Sequence, residues 1–253
     1  MNPPDRRTLL KQAAAASLLA GLGATQAFPR SSENTPDMTP EQMRDQLQRC
    51  LGGPWSDAGP LNTVTHETIQ KDGYRIESLS YEAEPGDSIP AMLLIPDEVT
   101  PSRPAPAIAI WHQHNGEYHL GKSEPAGLAG NPMHHTGVAL AKEGYVVLCP
   151  DALCFEERQD PSGIQPGGNF ERFEFLRYIV NGKSMAWKNI LDMRRAIDFL
   201  VSRPEVKTDR LGCYGHSMGS THTWLVGPFE PRLRALVGNS CLPTYSAIHE
   251  HHL

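Results

Sequence analysis

The chain predicts an α/β fold, a mostly parallel sheet wrapped by helices, and three observations carry that prediction. From about residue 66 onward, short apolar runs bounded by polar loops alternate with amphipathic stretches of helical period. One run, Ala107-Ile108-Ala109-Ile110-Trp111, is apolar throughout, as expected of a parallel strand covered on both faces. The pentapeptide Gly215-His216-Ser217-Met218-Gly219 stands where a strand pattern passes into a helix pattern, the setting of a sharp strand-to-helix turn.

In chain order, the first segment to account for is residues 1–27. Arg6-Arg7 precedes Thr8-Leu9-Leu10-Lys11 and a small-residue apolar run from Ala13 to Ala24. That order resembles a twin-arginine export signal, an address read by a receptor, and implies an exported, periplasmic or extracellular protein with no stable membrane anchor. Residues 28–65 read as an N-terminal extension with one helix over Pro40–Leu51, Thr39 as N-cap, Pro40 at N1 and Gly52 past the end. Residues 66–253 read as the α/β domain, with no internal repeat or second boundary.

Within the domain, alternation over residues 66–69 and 74–81 predicts a half-buried hairpin, and residues 91–96 a further strand after the Pro85-Gly86-Asp87 turn. A helix is expected over 132–143, ended by Gly144, and then a strand over 145–148. A long amphipathic helix is expected over 182–203, with Met185, Ile190, Met193, Ile197, Leu200 and Val201 on one face and charges opposite. A strand over 210–214 feeds the pentapeptide, a helix over 218–226 leaves it, and a strand over 233–237 follows. Residues 155–181, with Phe170, Phe173, Phe175 and Tyr178, form either a lid or pocket wall, or a surface helix packing its aromatics on the sheet.

Composition excludes several functions. The 253 residues carry 23 basic and 29 acidic groups, a formal net charge of −6, without a basic cluster, so nucleic acid is not an expected partner. Five cysteines (Cys50, Cys149, Cys154, Cys213, Cys241) form no CxxC pair, and most of them read as buried small hydrophobes, neither a zinc site nor a disulfide framework. His112 and His114, two apart, would share one face of a strand, but no HExxH or similar spacing joins them to His119, His134 or His135, so neither metal nor cofactor is expected.

The pentapeptide matches G-x-S-x-G, in which a serine is held exposed on a strained turn as a nucleophile. Ser217 is the candidate nucleophile. The N–H of Met218, at the positive end of the following helix, is the candidate oxyanion donor. A second donor is expected from the backbone of Gln113 or His114, where lipases and esterases carry an HGGG-type segment. His216 occupies a variable position of the motif.

With these residues placed, the chain resembles the serine α/β-hydrolases of the dienelactone-hydrolase-like and acetyl-xylan-esterase-like group. The matching pieces are His112-Gln113 with residues 121–124, the segment 144–151, residues 192–200, Arg203-Pro204, residues 210–212 and the pentapeptide, covering roughly 66 to 242 in order. The resemblance implies the α/β-hydrolase fold and hydrolysis of a small-molecule or carbohydrate ester through a serine acyl-enzyme. Three departures accompany it. Ser217 replaces the cysteine of true dienelactone hydrolases, Glu156-Glu157-Arg158 stands where relatives often carry Gly-Glu-Arg, and the last two strands of the family have no counterpart before Leu253. The triad acid and histidine would then lie beyond Leu253, leaving a truncated form with weak or no turnover. His249, close to the end with His251 and His252, is a poor substitute base. Asp151 and Glu156 stand at a strand's C-terminal end, as substrate contacts or as turn caps and surface charges. Two other functions fit the same pattern: a non-catalytic binding module, and a serine peptidase.

Overall fold

The computed structural model describes residues 38–57, 59–240, 244, 246, 247 and 250. The export-signal segment and the terminal histidines His249, His251 and His252 lie outside the described residues, as does Cys241.

Seven strands form one sheet in the order β1-β2-β3-β5-β4-β6-β7. They are β1 (Val64–Lys71), β2 (Tyr74–Glu84), β3 (Asp87–Pro96), β4 (Ala105–Trp111), β5 (Val146–Pro150), β6 (Val206–His216) and β7 (Leu233–Asn239). The first three are antiparallel neighbours, and β3 meets β5 antiparallel. From β5 through β4 and β6 to β7 every pairing is parallel. The sheet is thus mixed, and its parallel half carries the pentapeptide.

Among the described residues five α-helices accompany it: α1 (Pro40–Leu51), α2 (Thr136–Lys142), α3 (Gly168–Val180), α4 (Met185–Ser202) and α5 (Met218–Val226). Period-2 alternation sorts side chains to the two sheet faces. On β3, Leu93 and Ile95 join one apolar cluster with Ile190, Met193, Ile197 and Leu200 of α4, while Leu94 joins another with Ile110, Val147 and Ala141 of α2. Leu47 and Leu51 of α1, with Trp55, pack on the first cluster, so this helix caps the α4 side of the sheet.

Several elements differ in detail from the sequence expectation. The 132–143 segment is a 3-10 turn over Pro132–His134 followed by α2, because Asn131 caps the turn through Oδ1 and His135 has φ −71°, ψ 48°, outside the helical region. The long helix begins at Met185, where Ser184 Oγ accepts the N–H of Trp187 at 3.0 Å. Its apolar face is as expected, but the opposite charges are not all in water: Lys188, Asp192 and Arg195 are buried. They are compensated from distant elements. Arg158 Nη1 donates to Asp192 Oδ2 at 2.8 Å, Lys188 Nζ meets Asp87 and Asp192, and Arg195 donates to the carbonyls of Glu82 and Gly59. Cys149 and Cys154 are free and buried, without a bridge.

Candidate active site

Two loops meet at the C-terminal ends of β4 and β6. At the end of β6, Ser217 is exposed and has φ 53°, ψ −115°, a backbone conformation that L residues rarely adopt. Flanking glycines make that turn possible. A Cβ on Gly215 would lie 1.9 Å from the carbonyl oxygen of Gly219, and a Cβ on Gly219 would lie 1.9 Å from that of Trp111. The second contact brings the first turn of α5 against the end of β4, next to the loop that begins at His112. Ser217 N–H donates to Asn239 O of β7 at 3.0 Å, which pins the turn to the neighbouring strand.

Among the described residues, the backbone N–H groups of Met218, Gln113 and His114 have no hydrogen-bond partner. Met218 and His114 line one cleft, of about 260 Å³, with Ala152, Leu153, Phe155, Glu171, Asn189, Thr221 and His222. Gln113 lies on the other side, in a smaller pocket with His134 and His216, where its side-chain Nε2 donates to Glu124 Oε2 at 2.9 Å.

The loop after β4 is held by its histidines. His112 is buried; its Nε2 accepts the N–H of Ala152 at 3.0 Å, so the proton sits on Nδ1, which donates to Gln113 O at 2.8 Å. Burial lowers its pKa, opposed by the bond to Gln113, and the ring stays neutral. His114 Nδ1 accepts the N–H of Gly116, leaving Nε2 to donate to Glu171 of α3 at 3.1 Å, where Tyr118 also donates at 2.6 Å. Phe155, buried, stands edge-on to both His112 and His114 and stacks on Tyr118. Strand β4 ends at Trp111, so the two histidines do not share a strand face; each serves a different loop contact.

Asp151 and Glu156 are turned away from the cleft to Lys122. Lys122 Nζ lies 2.8 Å from Asp151 Oδ2, 2.8 Å from Glu156 Oε1 and 2.7 Å from Glu157 Oε1. Glu156 Oε2 also accepts from Gly121 N, Ser123 N and Ser123 Oγ. Burial works against the lysine's charge, yet Asp151 and the two glutamates outweigh it and raise its pKa. Asp151, expected as a substrate contact or as a turn cap or surface charge, is instead buried in this ion cluster, and Glu156 joins it there. These three carboxylates are the one group among the described residues spaced to hold a metal, and the ammonium fills their centre.

The segment 155–181 contains a 3-10 turn at Glu156–Arg158 and helix α3. Phe173 and Phe175 are about half exposed rather than packed on the sheet, and Glu174 is the one buried residue of the helix. Through Glu171, α3 forms part of the cleft wall.

Sequence reasoning did not single out His222, Asn189, Glu171 or Tyr118. His222, on α5, is buried; burial and the nearby His112 depress its pKa to about 3, so it too is neutral. Asn189 Nδ2 of α4 donates to its Nε2 at 3.2 Å. Neither residue belongs to a recognisable spacing; only the packing of α4 on α5 brings them together. Among the described residues, Ser217 Oγ has no histidine partner.

A sheet with this crossover at β4, a serine at positive φ after β6 and a helix leading away from it define an α/β-hydrolase. The chain belongs to the Abhydrolase family, whose model matches residues 13–247. The "Putative hydrolase YtaP" of Bacillus subtilis is 29% identical over 199 residues, 78% of this chain and 62% of the relative, so the chain spans under two thirds of that protein. Among solved structures, a "putative acetyl xylan esterase" of Bacteroides fragilis has a TM-score of 0.64 at 18% identity, covering 88% of this chain and 58% of that one. Acetyl xylan esterase 1 of Thermoanaerobacterium sp. JW/SL YS485 has a TM-score of 0.51 at 18% identity, covering 70% and 51%. These similarities establish the fold expected from the sequence. Among the described residues, no helix is long and apolar enough to cross a membrane.

Proposed function

We propose that the chain is a carboxylic-ester hydrolase that works through an acyl-enzyme on Ser217. The observation that carries this reading is an exposed serine held at φ 53° beside unbonded N–H groups of Met218 and the His112–His114 loop. In the reaction, Ser217 Oγ bonds to the ester carbonyl carbon and its proton goes to the departing alkoxide. Water then cleaves the acyl-serine and releases the acid. The developing oxyanion is held by the Met218 N–H and by that of His114, favoured over Gln113 because it shares the Met218 cleft.

The substrate class is a small-molecule or carbohydrate ester, in keeping with the names borne by the two structural neighbours. We also propose that residues 1–27 direct export, that residues 28–65 form an extension, and that 66–253 form the hydrolase domain.

The test is hydrolysis of p-nitrophenyl acetate by wild type and by Ser217→Ala. Wild type should turn over faster than the variant, while a peptide anilide stays intact. Equal rates would support the alternative of a binding module on the same fold. Cleavage of the anilide would favour a peptidase.

A further inference from the structure

The cleft that holds Met218 carries a charge that the proposed reaction does not use. Among the described residues that line it, Glu171 is the one carboxylate, and none is a lysine or an arginine. Much of the remaining wall is apolar, with Leu153, Phe155, Met185 and Leu225. A group seated in these 260 Å³ therefore meets a negative charge beside apolar surface, where water screens it less than in the open.

Glu171 keeps that charge for identifiable reasons. Its ion-pair partner among the described residues is His114, at 3.1 Å. Because His114 Nδ1 accepts the N–H of Gly116, the imidazole is neutral and donates a bond from Nε2 without bringing a positive charge. Tyr118 donates the second bond; burial, and then the Glu171 carboxylate, raise its pKa, so the phenol keeps its proton. Both bonds end on Oε2, and Oε1 has no hydrogen-bond partner among the described residues. Arg177, further along α3, is bound to Glu174 instead. Glu171 also stands in the first turn of α3, where the positive end of a helix favours a carboxylate. The side chain is held in place by neutral donors, and its charge is left for whatever enters the cleft.

We propose that Glu171 determines specificity by charge: the cleft beside Met218 takes the uncharged or cationic part of an ester and turns away a part that carries a carboxylate. This rests on the ester-hydrolase reading for the word ester; the selection by charge does not.

The test uses three compounds that share one branched skeleton and differ in charge: choline, 3,3-dimethylbutanol and 3,3-dimethylbutanoate. Binding is followed through the methyl resonance of Met185, which lines this cleft, assigned by its loss in Met185→Leu. In wild type, choline should bind about threefold more tightly than the alcohol and about tenfold more tightly than the anion. In Glu171→Gln, which keeps a hydrogen-bond acceptor, the three affinities should come within about twofold of one another. Glu171→Asp keeps the charge on a shorter side chain and should keep the order, which separates the charge from the bond to His114. If Glu171→Gln fails to fold, salt decides: going from about 20 mM to about 500 mM should at least halve the wild-type ratio of choline to anion affinity. Three equal affinities in wild type, an order that persists in Glu171→Gln, or no saturable shift with any of the three would overturn the proposal. The ester reading is tested apart, by cleavage of 3,3-dimethylbutyl acetate in wild type against Ser217→Ala. If the ester stays intact while the methyl result holds, the ester reading falls and the charge selection stands; cleavage without an order of affinities does the reverse.

Discussion

Ser217 adopts a conformation that costs an L residue about 1–3 kcal/mol, and the surrounding backbone must over-determine it. The bond to Asn239 and the close approach of Gly219 to Trp111 do so. Gly219→Ala places a methyl group where the Trp111 carbonyl stands, and no flexible side chain can yield. It should destabilise the protein by more than about 3 kcal/mol in urea denaturation, the range of severe core strain. His222 carries a second prediction. Its folded pKa, about 3, lies below its ordinary 6.5, so between those values the unfolded chain binds the proton and the folded chain does not. Stability is full above pH 6.5 and falls as pH drops toward 3. Between pH 6.5 and pH 5 the loss from this residue should be about 2 kcal/mol. His222→Gln, measured by denaturation at both pH values, should lose about that much less than wild type; an equal loss would mean that His222 takes up its proton as readily in the fold as in the unfolded chain.

At the scale of elements, the loop carrying residues 118–124 is fixed to the end of β5 by one ion. Lys122 is buried against Asp151, and Glu156 ties the neighbouring N–H groups to the same cluster. Lys122→Met would leave a buried carboxylate without its cation and should cost about 3–5 kcal/mol in denaturant unfolding. A loss below 1 kcal/mol would mean that the acids reach water unaided. These contacts were not legible beforehand. The helix over Pro40–Leu51, the strand Ala107–Trp111 and the elbow follow from local pattern, because period, caps and glycines act within a few residues. Lys122 meets its partners 29 and 34 positions away, and Lys188 meets Asp87 across 101. Such pairs arise only when the sheet brings β3, β5 and α4 together, so the helical wheel placed Lys188 and Asp192 in solvent.

For the whole molecule, the crossover at β4 matters most. The chain leaves β4 toward β5 on one side and finds β6 on the other, which opens a crevice at the strands' C-terminal ends. His112–His114 and Ser217 stand on the two lips of that crevice, and α3 closes its side through Glu171. The sequence located both lips, since each is marked by a motif. It could not locate the Asn189–His222 contact, which belongs to the packing of α4 against α5 and to no motif. The central claim is that this crevice presents Ser217 as a nucleophile. The most direct measurement is intact-protein mass spectrometry after incubation with a fluorophosphonate, with the adduct located by peptide mapping. One adduct is expected, on Ser217, and none in a folded Ser217→Ala protein. A folded wild type that stays unmodified, or carries its adduct on another residue, would contradict it.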